Sequence, residues 1–143
     1  MATILYDSAN TTVTLNGRAL VDLANGDAVS IEFPNETSSK TNGINNSSVV
    51  KFRSDRNSAN VKIKVLKAST DDVFLNSALN QEKPTVFAGS IKTNFSRDGV
   101  DGIDSYALEN GTITKRPTDT KNNVDGEEIM EYEFNFVSAV RMV

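Results

Sequence analysis

Apolar residues in this chain fall in short alternating blocks separated by runs of Asn, Ser, Thr and Asp, the pattern of strands joined by polar turns. From Thr11 to Leu15, Val13 and Leu15 occupy one face and Thr12 and Thr14 the other, and Asn16-Gly17 follows as a hairpin turn. Arg18 to Leu23 is a short apolar stretch ending near a second Asn-Gly turn, Asn25-Gly26. Ala28 to Phe33 then alternates with Val29, Ile31 and Phe33 inward until Pro34 stops it. Ser48 to Arg53 is strand-like, and Asn60 to Lys67 is the clearest strand, with Val61, Ile63 and Val65 opposite Lys62 and Lys64. Next, Ser69-Thr70-Asp71-Asp72 supplies an N-cap and first-turn acids that favour the positive end of a helix dipole. The spacing of Phe74 with Ala78 and Leu75 with Leu79 predicts a helix over Thr70 to Gln81, ended by Pro84.

Thr85 to Asn94 returns to strand, with Val86, Phe87 and Ile91 as core candidates. Tyr106 to Leu108 and Thr112 to Arg116 read as two shorter strands around a third turn, Asn110-Gly111, and Asp119 to Gly126 is a polar loop. Between Glu127 and Val143, Met130, Tyr132, Phe134 and Phe136 alternate with Glu131, Glu133 and Asn135. Such regularity predicts a central strand that crosses the whole sheet and pairs on both sides. The expected fold is mainly β, a barrel or sandwich with one flanking α-helix, in a single domain over residues 1–143.

The Asn- and Ser-rich run from Asn35 to Ser48 contains a single large apolar residue, Ile44, and is expected to be a long loop. It is read either as a mobile surface loop or as an arm that orders against a neighbouring subunit.

Composition removes most chemistry. Across 143 residues there is no Cys and no His, which takes away thiolate nucleophiles, zinc-thiolate sites and the commonest general base at neutral pH. The chain is expected to be no enzyme and to carry no cofactor or metal. A net charge of −4 disfavours tight binding to duplex DNA. No apolar run reaches the length of a membrane span and the N-terminus lacks the pattern of a signal peptide, so synthesis and retention in the cytosol are expected. The Asn-X-Ser/Thr triplets at Asn10, Asn35, Asn45 and Asn94 are read as Asn-rich turns.

Two charge patterns remain. Asp98, Asp101 and Asp104 recur every three residues among glycines, which could wrap a hard cation such as calcium, although the spacing is not that of an EF-hand and a solvated loop is the preferred reading. Lys62 and Lys64 on one strand and Glu131 and Glu133 on another form opposite rows that would pair either within a subunit or across a boundary between subunits.

Three places resemble the family of short bacteriophage tail tube proteins, best known from contractile-tailed phages. They are Val61-Lys62-Ile63-Lys64-Val65-Leu66-Lys67-Ala68-Ser69 leading into the helix with Asn76 and Leu79, the closing Glu131-Tyr132-Glu133-Phe134-Asn135-Phe136, and the opening Val13-Thr14-Leu15-Asn16-Gly17. The match is thin between Gly89 and Asn123, and the Asn35 to Ser48 run departs from the family pattern. The resemblance implies a self-assembling virion protein, put together in the cytoplasm of a host bacterium, whose six-membered rings stack into a hollow conduit for genome ejection. It implies as partners further copies of the chain, a tape measure protein, terminator or baseplate proteins, and a sheath where the tail contracts, while DNA passes without specific binding. Candidate contacts between subunits are Asn42, Gly43, Ile44 and Asn45, the carboxylates Asp98, Asp101 and Asp104, and Lys62 and Lys64. Candidate acids lining the lumen are Glu109, Glu127, Glu131 and Glu133. Alternatives are a tail terminator, a baseplate ring, the tube of an injection or secretion system, and a monomeric ligand- or calcium-binding β module.

Overall fold

The computed structural model describes residues 1–124, 126 and 128–143. The chain runs through β1 (Ile4–Leu15), β2 (Arg18–Ala19), β3 (Val29–Glu32), β4 (Ser38–Asn42), β5 (Ser48–Phe52) and β6 (Ala59–Leu66) to one helix, α1 (Thr70–Leu79). It then continues through β7 (Phe87–Arg97), β8 (Val100–Lys115) and β9 (Ile129–Met142). Seven strands form one antiparallel sheet in the order β2-β1-β7-β8-β9-β6-β3, while β4 and β5 form a separate hairpin. The fold is mainly β with one flanking helix, as the alternation predicts.

The sheet curls on itself because one short strap is bonded to both of its ends. After the Asn16-Gly17 turn, the Leu20 amide donates to the Val13 carbonyl on β1. The same strap then reaches β6 at the far end of the sheet. There the Leu66 amide donates to the Asp22 carbonyl and the Ala24 amide to the Lys64 carbonyl, around a bridge between Leu23 and Val65. Inside the curl, Val13 and Leu15 of β1 join Val61, Ile63 and Val65 of β6, Phe134 and Phe136 of β9, and Phe87 and Ile91 of β7 in one buried cluster. The Phe134 ring packs edge-on to Phe87 at 5.4 Å between centroids and stacks on Phe136 at 5.9 Å.

Helix α1 covers one end of this core with the fully buried Leu75. Ser69 is its N-cap, accepting from the Asp72 amide at 3.2 Å. Asp71, buried completely, turns its Oδ2 away from the helix to accept from the Val21 and Asp22 amides at 2.8 and 2.6 Å. The first-turn acid therefore also pins the strap.

Several expectations change, and Val86, expected in the core, is exposed. β1 starts at Ile4, not Thr11, because backbone pairing to β7 extends it past the alternating segment through a register shift between Asp7 and Thr12. Asn110-Gly111 is no hairpin turn. Asn110, at φ 52°, sits in a bulge against β7 inside the continuous strand β8, which merges the two short strands expected there. Phe33 falls beyond β3 and is exposed, its ring 6.4 Å from that of Tyr106. β9 pairs with β8 on one side and β6 on the other, as a central strand should.

Candidate assembly surfaces

The expected Asn35 to Ser48 loop is instead half of a hairpin. β4 pairs with β5 from Ser38 opposite Phe52 to Asn42 opposite Ser48, and the Gly43 amide donates to the Ser47 carbonyl at the tip. Ser and Thr suit a pleated backbone but show no hydrophobic period, so the strand was not visible by alternation. Asn42, Gly43, Ile44 and Asn45 form the exposed tip, with Ile44 98% exposed. Behind it Val49, Val50 and Phe52 are 70%, 54% and 76% exposed. At the base, Arg53 makes a two-pronged ion pair with Asp55 at 3.0 Å, which holds that carboxyl below its usual pKa, and the Arg56 guanidinium lies 5.7 Å from the Phe52 ring centre. A two-stranded hairpin gains little stability alone. Its solvent-facing apolar row is the signature of a contact surface.

The second surface is the far end of β1, β7 and β8. Here the expected Asp98 to Asp104 loop is a two-residue hairpin turn followed by strand: Asp98 and Gly99, at φ 51° and 82°, connect the paired Arg97 and Val100. Two successive left-handed residues suit the twist of a tight hairpin, and Asp-Gly supplies them. Asp98 also accepts from the Thr3 amide at 2.9 Å. Asp101 lies opposite Ser96 and Asp104 opposite Thr93, three residues apart in a regular strand and so on opposite faces. That is no cage for calcium, and among the described residues no three His, Cys, Asp or Glu side chains converge on a possible ion site.

Asp104 is instead the buried centre of a polar cluster that the sequence reading missed. Its carboxylate, 4% exposed, takes both prongs of Arg141 at 2.9 and 2.8 Å and the Tyr6 hydroxyl at 2.8 Å. Arg141 holds the Asp104 carboxyl below its ordinary pKa, with help from Tyr6, while the hydrogen bond to Asp104 pushes the Tyr6 phenol up. One carboxylate thereby ties β1, β8 and β9 together within the subunit. Beside it a half-open cleft of about 800 Å³ is lined by Tyr6, Thr11, Leu23, Val29, Ile91 and Tyr106.

The third surface is the charged face of β6 and β9. Lys62 stands opposite Glu133 and Lys64 opposite Glu131, with Nζ to carboxylate distances of 3.9 and 3.8 Å. The two rows pair within the subunit, each half-exposed pair contributing a few tenths of a kcal/mol. Glu109 is exposed on β8 opposite Ser138, and Glu127 lies outside the described residues.

No protein-family model matches the chain, and no characterised protein matches it by sequence. The fold, however, has a solved counterpart. A chain in the six-fold symmetrised cryo-EM structure of the anti-feeding prophage (AFP) baseplate matches with a TM-score of 0.54 at 11% identity, over 92% of this chain and 90% of that one. At that identity the likeness is one of fold. It runs nearly the full length of both chains, so it concerns the whole architecture and not one hairpin or half-sheet.

Proposed function

We propose that this chain is a structural subunit of a phage-type tail, and specifically a tube subunit whose rings stack into a hollow conduit. The observation that supports the reading best is the full-length fold likeness to a chain of a six-fold symmetrised baseplate structure. Two further features support it. Apolar side chains are presented on a projecting hairpin and on a strand end, where a monomer gains nothing from them. Among the described residues the sheet also leaves backbone edges open at β3 and along the outer half of β1, since β2 pairs only with Thr14 and Leu15. Contacts that close cyclically and contacts that propagate along an axis are both needed for such a body.

In this reading six copies close each ring, and the partners are a tape measure protein, terminator and baseplate proteins, and a sheath where the tail contracts. DNA passes without being gripped. Glu109, Glu131 and Glu133 face the lumen, and the two of these acids beside Lys62 and Lys64 weaken the attraction of both lysines for phosphate.

Negative-stain microscopy of the purified protein at high concentration tests this. Long hollow filaments are expected. Single rings or short stacks would instead favour a terminator or baseplate ring, and a protein that light scattering finds monomeric at every concentration would overturn the assembly reading.

A further inference from the structure

We infer that the β4–β5 hairpin of one copy docks on the acidic, apolar groove at the far end of β1, β7 and β8 in a second copy; this rests on the assembly reading above. The hairpin is cationic. Between Glu36 and Asp55 the chain has no carboxylate but carries Lys40, Lys51 and Arg53, in a protein of net charge −4. Lys40 lies opposite Val50, with Phe52 two residues further along the same face, so one side of the hairpin offers a cation beside two large apolar groups.

The groove offers the complement. Leu5, Ser96 and Asp101 form one cross-strand row, and Asp7, Asn94 and Ile103 form the next. Two exposed carboxylates therefore occupy one diagonal and two exposed aliphatic side chains the other. Asp7 accepts from the Asn10 side chain, a neutral donor that leaves its charge in place. Among the described residues Lys40, Lys51, Asp7 and Asp101 belong to none of the ion pairs, whereas Lys62, Lys64, Lys67, Arg53 and Arg141 all have carboxylate partners. The subunit thus carries one unpaired cation, Lys40, on the apolar face of the hairpin, with Lys51 on its other face, and two unpaired anions in an apolar groove. Contact between copies sets Lys40 against these carboxylates and removes Val50, Phe52, Leu5 and Ile103 from water.

The test uses two full-length variants: an arm-reversed protein, Lys40→Glu, and a groove-reversed protein, Asp7→Lys with Asp101→Lys. All three positions are exposed, and circular dichroism with thermal unfolding checks that each variant keeps the native fold. Each alone is expected to need at least about tenfold more protein to assemble, by sedimentation and microscopy, because like charges then meet across the contact. Mixed in equal amounts they are expected to recover assembly, since an acidic arm then meets a basic groove and the native arm of the second protein meets the native groove of the first. The single variant Asp101→Lys should show the same defect and the same rescue if Asp7→Lys disturbs β1. Wild-type assembly with no defect in either variant, or with no rescue on mixing, overturns the docking while leaving the assembly reading standing. A monomeric wild type overturns both.

Discussion

Replacing Asp71 should loosen the strap that closes the sheet, and the structure sets the size of the effect. Its Oδ2 accepts two backbone amides, Val21 at 2.8 Å and Asp22 at 2.6 Å, and hydrogen bonds to a charged group contribute about 1.5–3 kcal/mol each. Water can reach part of the strap, since Val21 is exposed and Asp22 half-buried, so both amides are partly resolvated when the carboxylate is removed. Asp71→Ala is therefore expected to cost about 2–4 kcal/mol, which lowers the melting temperature of a domain this size by about 5–15 °C. Asp71→Asn is no mild substitute. Oδ1 is buried and takes no hydrogen bond among the described residues, so an amide NH2 placed there is a donor without an acceptor, at about 1–3 kcal/mol. Turned the other way, the NH2 faces two amide hydrogens. Chemical and thermal unfolding give the energies, and hydrogen exchange gives the place: the amides of Ala24 and Leu66, which sew the strap to β6, should exchange faster than those inside β7. A loss under about 0.5 kcal/mol, or faster exchange spread evenly over the sheet, would refute the role assigned to this carboxylate.

Gly89→Ala should be among the most damaging single-methyl additions, because a Cβ there would sit 1.8 Å from the Thr14 carbonyl oxygen; a loss of at least about 3 kcal/mol in urea unfolding is expected, and a near-neutral result would mean β1 lies further from β7 than the ladder places it. Tyr132→Phe removes the 2.6 Å hydrogen bond to Asp72, a bond that together with burial raises the tyrosine pKa, and should cost about 1–2 kcal/mol with the helix content unchanged by circular dichroism. Acid titration should separate Asp104 from the surface acids. Its folded pKa lies below its unfolded one, so its contribution is full above about pH 4 and disappears as pH falls through the lowered value; Asp104→Asn should lower stability at pH 7 and flatten the acid limb, and an unchanged slope would count against the Arg141 contact.

The parts of the fold legible in the sequence are those where one local rule suffices. β6 and β9 alternate without interruption, so their faces, their burial and the pairing of Lys62 and Lys64 with Glu133 and Glu131 follow from period and sign alone. The helix start follows from Ser69 and the acids behind it. What resisted reading depended on rules that conflict or on distance along the chain. Asn110-Gly111 has the composition of a turn but serves a bulge, because the strands on both sides of it already have partners. Asp98-Gly99 is a true hairpin turn, obscured by the glycine and aspartates that follow and made it look like the start of a loop. β4 has no apolar period at all. Asp104 and Arg141 lie 37 residues apart and meet only once β8 and β9 are in register, so no local pattern announces the pair.

The place of β9 in the sheet bears on when a subunit can first take part in building anything. β9 follows every other strand in the chain, yet it lies between β8 and β6. Until it is synthesised, the main sheet of the nascent chain is split into β2-β1-β7-β8 and β6-β3, linked through the strap, with Phe87, Val13 and Val61 lacking the aromatic row that fuses them into one core. Inserting a strand between two waiting edges is a slow, long-range step, and it comes last. In the assembly proposed above, a growing polymer would then add only chains in which this step is complete, and a chain cut short before residue 129 would be left to degradation instead of being built in as a flaw.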